Sequence, residues 1–129
     1  MTDQALNDQA ALVPAPERGQ VVLAVSSDGM GRGDDDLGHL LLRNHLHILT
    51  EVDNKPDLLI FFNSAVKLAA EGSPVLDDLR LLTETGAQVL LCGTCIAHFE
   101  LKDKVAVGEV SNMYAITEAM LGAAKVINL

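Results

Sequence analysis

Val21-Val22-Leu23-Ala24-Val25 runs directly into Ser26-Ser27-Asp28-Gly29-Met30-Gly31-Arg32-Gly33 and then into Asp34-Asp35-Asp36-Leu37. Five consecutive apolar residues bounded by a turn-forming stretch fit a strand buried on both faces. The glycine-rich stretch reads as a loop. The three acids favour a helix start, because the positive end of the helix dipole attracts negative charge. Leu37, Leu40, Leu41, Leu42, Leu46, Ile48 and Leu49 follow at helical spacing, and the pattern predicts a helix ending near residues 53–55, ahead of Pro56. Strand, loop and helix in this order are the repeating half of a parallel α/β sheet.

The rest of the chain continues the alternation. Leu58-Leu59-Ile60-Phe61-Phe62 predicts a second strand, and residues 63–70 a short helix or turn. Ser73 is the expected N-cap and Pro74 the first position of a helix running through Leu76, Leu79, Leu81 and Leu82 to Gly86. Residues 87–91 predict a third strand and 94–101 a short helix. Lys104-Val105-Ala106-Val107 reads as a fourth strand, residues 111–121 as a helix capped by Ser111 and ended by Gly122, and 124–129 as a last strand. This order predicts a mainly parallel sheet with helices on both faces. Residues 1–19 are polar, carry Pro14 and Pro16, and read as a flexible tail; residues 20–129 are then a single α/β domain.

The formal net charge of −9 argues against binding nucleic acid or an anionic membrane surface. The 49% of hydrophobic residues supply a core, and with aromatics at 3% that core must be aliphatic. Met1-Thr2-Asp3-Gln4 has neither the basic nor the apolar region of a secretory signal, and no apolar run approaches the roughly 20 residues that span a bilayer. The expected location is cytoplasmic. There, two nearby thiols point to catalysis, redox chemistry or metal binding rather than to a structural staple.

Both cysteines stand in Cys92-Gly93-Thr94-Cys95, directly after the third apolar run. The carboxyl edge of an open parallel sheet is where such folds carry their chemistry. The short spacing lets the two sulfurs meet and lets one lower the pKa of the other. Gly93 permits close backbone approach, and Thr94 adds a hydroxyl donor. A thioredoxin-like arrangement fits poorly, because the pair follows the third strand and no proline comes after Pro74. A zinc site has only His98 to add nearby in sequence, short of four ligands, so no metal is expected. The remaining alternative is that both are small buried apolar residues.

Other strand-end residues are pocket candidates. Arg32 offers positive charge; Asn63 and Ser64 offer an amide and a hydroxyl, or a cap; Asn112, Met113 and Tyr114 follow the expected fourth strand and suit a pocket wall or a subunit contact. The Gly29–Gly33 loop matches neither phosphate-binding glycine pattern, and the acids after it would repel phosphate, so a turn feeding a capped helix is expected. His39, His45 and His47 present no pair at metal-binding helical spacing and read as surface or half-buried residues.

Four stretches carry a resemblance: Gly31-Arg32-Gly33-Asp34-Asp35, Phe62-Asn63-Ser64-Ala65-Val66-Lys67-Leu68, Cys92-Gly93-Thr94-Cys95 and Val107-Gly108-Glu109-Val110-Ser111-Asn112-Met113-Tyr114. In this order and spacing they resemble the DsrE/DsrF-like family, in particular the carboxyl-terminal domain of its YedF-like members, described as sulfurtransferase-like and linked to selenium metabolism. The resemblance covers nearly all of residues 20–129. It implies a three-layer α/β/α fold with a five-stranded parallel sheet and a homo-oligomer. It implies a sulfur-relay role in which Cys92 accepts sulfane sulfur, or selenium, as a persulfide, with Cys95 resolving or supporting. No cofactor is called for. The partner is then a sulfur donor or acceptor protein, of the TusA-like kind, because the Cys-Pro-x-Pro motif of the TusA-like domain is absent from this sequence. Ala65 stands where the family pattern has glycine. A dithiol–disulfide redox protein and a non-catalytic binding module are the alternatives.

Overall fold

The computed structural model describes residues 19–129; the expected tail at residues 1–19 lies, but for Gly19, outside the described residues. The elements are β1 (Val21–Val25), α1 (Asp35–Leu49), β2 (Leu58–Phe61), a 3₁₀ helix (Asn63–Ala69), α2 (Leu76–Glu84), β3 (Gln88–Cys92), α3 (Gly93–His98), β4 (Glu109–Ser111), α4 (Met113–Gly122) and β5 (Lys125–Asn128). The five strands form one sheet in the order β4-β3-β2-β1-β5, and every pair is parallel.

Strand order decides which face each helix covers. From β1 to β4 the chain steps in one direction across the sheet, and right-handed crossovers put those connections on one face. The return from β4 to β5 runs the other way and must cross the opposite face. The core divides accordingly. Leu42 and Leu46 of α1 and Leu79 and Leu82 of α2 pack with Leu23, Val25, Leu59, Phe61, Val89 and Leu91. Ile116 of α4 packs with Val22, Leu58, Ile60 and Cys92. The result is a three-layer α/β/α fold, with its continuous apolar strands buried between helices.

Several boundaries differ from those the sequence predicts. α1 ends at Leu49 rather than near residues 53–55: the Thr50 hydroxyl donates to the His47 carbonyl at 2.6 Å, and Glu51 and Val52 turn back onto Ile48. α2 starts at Leu76, not at Pro74, because Ser73 Oγ accepts from the Val75 N–H at 3.2 Å and forms a turn ahead of the helix. The predicted strand at residues 104–107 is not one. Val105 makes only an isolated antiparallel bridge with Ala70, and the fourth strand is Glu109–Ser111. Ser111 is the last residue of that strand. The cap of α4 is Asn112, whose Oδ1 accepts from the Ala115 N–H at 2.9 Å, and Gly122 lies inside the helix it was expected to end. The Gly29–Gly33 loop is the expected turn feeding a capped helix: Gly31 and Gly33 have φ of 81° and 129°, and Asp34 caps α1 by accepting from the Leu37 N–H at 2.8 Å.

Candidate functional site

β3 and β4 lie side by side and send the chain to opposite faces. α3 leaves β3 and adds Ile96 to the α1/α2 core; α4 leaves β4 and adds Ile116 to the other. Between their carboxyl ends the chain turns to opposite faces, the position at which open α/β sheets commonly bind ligands. Cys92-Gly93-Thr94-Cys95 leaves β3 there, and Ser111-Asn112 ends β4 beside it.

Cys92 closes β3, opposite Ser111 in the ladder. Side chains alternate along a strand, so Cys92 shares a face with Leu90 and turns beneath α4; it is 1% exposed. Cys95 is one turn into α3, half-buried, and packs against both cores. Both are free thiols. Gly93 is required between them. A Cβ there would stand 2.7 Å from the Ser111 carbonyl oxygen, so a side chain would push α3 away from β4. Thr94 is exposed.

Asn63 follows β2 with φ of 54°, a left-handed conformation that asparagine tolerates better than most residues. Its backbone N–H donates to Cys95 Sγ at 3.0 Å. The sulfur therefore has a fixed donor, supplied by the backbone rather than by the Asn63 side chain. Burial pushes the Cys95 thiol above its ordinary pKa, the Asn63 N–H pulls it back, and the neighbouring Cys92 pushes it up again.

Ser64 does not face the sulfurs through its hydroxyl. Its Oγ accepts from the Asp28 N–H at 3.1 Å and is 3.2 Å from Asp28 Oδ1. Arg32 is exposed at the end of β1. It lines an opening of about 360 Å³ with Ser26, Ser27, Gly29, Gly31 and Leu129, on the β1/β5 side of the sheet, with β2 between it and the thiol-bearing strand. Asn112 is committed to capping α4. Met113 and Tyr114, in the first turn of α4, are 50% and 75% exposed and leave a surface rather than wall a cavity. The structure thus brings Cys92, Gly93, Cys95 and Asn63 together and sets Arg32 apart. Asp28 went unnoticed in the sequence, where nothing marks its pairing with a serine 36 residues away.

His98, the extra ligand a zinc site would need, lies edge-on to Phe99 with ring centroids 4.9 Å apart, and Lys67 stands over the same phenyl ring at 4.6 Å. Among the described residues no three His, Cys, Asp or Glu side chains converge in a way that could hold a metal ion.

The profile of the DsrE/DsrF-like family matches residues 44–129. Three solved structures share the fold. The YchN protein of E. coli is 18% identical with a TM-score of 0.65, over 85% of this chain and 98% of that one. MTH1491 of Methanobacterium thermoautotrophicum, a protein of unknown function, is 16% identical with a TM-score of 0.61, over 85% and 98%. BT1422 of Bacteroides thetaiotaomicron, also of unknown function, is 16% identical with a TM-score of 0.57, over 84% and 94%. At these identities the likeness is one of fold. No curated protein sequence matches the chain.

Proposed function

We propose, from the premise that the chain belongs to the DsrE/DsrF-like family, that it is a sulfur carrier whose Cys92–Cys95 pair holds sulfane sulfur as a persulfide and passes it to a partner protein. The observation that carries this reading is a half-buried sulfur with a fixed N–H donor, backed by a second, buried thiol. The family resemblance assigns acceptance to Cys92. The burial of that thiol favours the other order, with entry at Cys95 and Cys92 behind it.

In loading, the Cys95 thiolate attacks the terminal sulfur of a donor persulfide; a Cys95 persulfide forms and the donor leaves as a thiolate. Delivery is the same exchange with an acceptor thiolate. With no acceptor, Cys92 attacks the inner sulfur of the persulfide, expelling hydrosulfide and leaving a Cys92–Cys95 disulfide. The Asn63 N–H offsets the cost of an anion on a half-buried sulfur. The donor or acceptor is a separate protein, of the TusA-like kind expected above, and selenium can follow the same route. Exposed Met113, Tyr114 and Leu121 of α4 suit a subunit or partner contact and fit a homo-oligomer. Among the described residues no helix is long and apolar enough to cross a membrane, and the chemistry suits the reducing cytoplasm.

The test is the intact mass of the reduced protein after polysulfide or a cysteine desulfurase with cysteine. Wild type should gain one sulfur, removable by reductant. Cys95→Ser should gain none. Cys92→Ser should load and hold its sulfur longer, having lost the resolving thiol. Loading that survives Cys95→Ser but not Cys92→Ser would restore the roles the resemblance implies. Loss of two hydrogens in wild type, with no sulfur gained by Cys92→Ser, would instead favour the second reading, a dithiol–disulfide redox protein, which two free thiols three residues apart allow.

A further inference from the structure

The donor at Cys95 belongs to a backbone in an unusual conformation, and something must hold it there. A non-glycine residue at φ of 54° costs energy and persists only when its surroundings over-determine it. Immediately before it, Phe62 N–H bonds to the Val25 carbonyl at 3.1 Å. Immediately after it, the Ser64 hydroxyl makes a closed pair of contacts with Asp28: it accepts from the Asp28 N–H at 3.1 Å and donates to Asp28 Oδ1 at 3.2 Å. A hydroxyl has one donor and two acceptor sites, so both bonds form at once. Asp28 is itself held from outside. His39 Nε2 of α1 lies 3.5 Å from Oδ1, and Asp28, His39 and Arg43 line one cavity of about 300 Å³ with Leu68 and Pro74. Residue 63 is therefore tied on both sides to β1 and its loop, before it by the Phe62 N–H and after it by the Asp28–Ser64 pair.

We propose that Asp28 and Ser64 are positioning residues, a clamp between the β1 and β2 loops that fixes the Asn63 N–H on Cys95 Sγ and so stabilises an anion on that sulfur. The clamp rests on the reading of Cys95 as the sulfur-bearing residue. Neither Asp28 nor Ser64 touches the sulfur. Their effect reaches it through the one peptide N–H, so the two act as a unit.

The experiment is the rate of alkylation of Cys95 by iodoacetamide as a function of pH, read by peptide mass. Ser64→Ala should move the midpoint of the profile up by about one pH unit, because the anion loses part of a charge-assisted hydrogen bond. Asp28→Ala removes only the bond to Oδ1 and keeps the Asp28 N–H on Ser64 Oγ, so it should move the midpoint in the same direction by less, and the double variant no further than Ser64→Ala. Ser64→Thr keeps the hydroxyl and should restore the wild-type midpoint, an outcome that a merely structural role does not require. If Ser64→Ala fails to fold, Asp28→Ala, on a half-buried loop residue, carries the test. An unshifted midpoint in a folded variant overturns the clamp. Sulfur loading of wild type, measured alongside, separates the two readings: a shifted midpoint in a protein that takes up no sulfur sinks the carrier and leaves the clamp, and loading without a shift does the reverse.

Discussion

The two faces of the sheet are built to different depths. On one, α1, α2 and the 3₁₀ helix cover Leu23, Val25, Leu59, Phe61, Val89 and Leu91, and the core extends through Leu42, Leu46, Val66, Leu79 and Leu82. On the other, α4 is the one helix among the described residues that covers Val22, Leu58 and Ile60, with Ile116 as its one buried residue. Each large aliphatic side chain taken fully out of water contributes about 1.5–3 kcal/mol, so the first face supplies most of the stability. The thin face holds the Cys92 thiol, and its covering helix still shows Leu121 at 82% exposure. The candidate site straddles this division: Cys92 is buried under the thin layer, while Cys95 and its Asn63 donor stand on α3 and the 3₁₀ helix of the thick one.

Truncations of the same kind on each face should expose this difference most strongly. Leu46→Ala, in the thick core, should cost about 3–5 kcal/mol, and Ile116→Ala about 2–3 kcal/mol, because a single covering helix can settle into the space left behind. Urea unfolding of both variants decides the point. A larger cost for Ile116→Ala breaks the comparison. A cost for Ile116→Ala that grows as the protein is diluted sharpens it, by showing that a second copy completes the thin face.

The boundary between the faces should respond next. Gly93→Ala puts a methyl group 2.7 Å from the Ser111 carbonyl, with backbone on both sides, so α3 and β4 must part. The expected cost is about 1–3 kcal/mol. The parting should also uncover Cys92. Native wild type should alkylate at Cys95 alone under brief treatment, and the variant at both thiols. Wild-type stability with Cys92 still protected would mean that the contact between β3 and β4 yields easily.

What the sequence reveals follows the same division. β1, β2 and β3 read clearly because strands covered on both faces need unbroken apolar runs, and that requirement is strongest over the thick core. The fourth strand misleads for the opposite reason. Glu109–Ser111 is a three-residue edge strand with Val110 55% exposed, so burial imposes no pattern on it; Val105-Ala106-Val107, more apolar, draws the eye yet crosses beneath the 3₁₀ helix. At the site, the cysteine pair and its place at a strand end are legible in the spacing. Which thiol meets solvent is not, because that depends on the face to which residue 92 points and on the helix that crosses it. The partnership of Asp28 with Ser64 is set by the pairing of β1 with β2, a tertiary fact without local signature.

The smallest effect separates two histidines on α1, the helix of the thick face. His47 is exposed and bridges to α2. Its Nδ1 lies 3.1 Å from Asp78 and its Nε2 3.3 Å from Glu51, and the hydrogen bond to Asp78, then the charges of Asp78 and Glu51, raise its pKa above the ordinary 6.5. His45, two residues away, is half-buried; burial lowers its pKa, and its Nε2 has no hydrogen-bond partner among the described residues. Their contributions to stability have opposite signs in pH. The folded state binds the His47 proton more tightly than the unfolded chain does, so that stabilisation is complete below pH 6.5 and disappears as pH rises through the raised value. For His45 the unfolded chain holds the proton better, so its contribution is present above pH 6.5 and is lost as pH falls through the lowered value. His47→Gln should therefore cost more at about pH 5 than at about pH 8, and His45→Gln the reverse. Urea midpoints across that range test both. Equal slopes for the two variants would mean that His45 is as wet as His47, and that the thick face is thinner along α1 than its packing indicates.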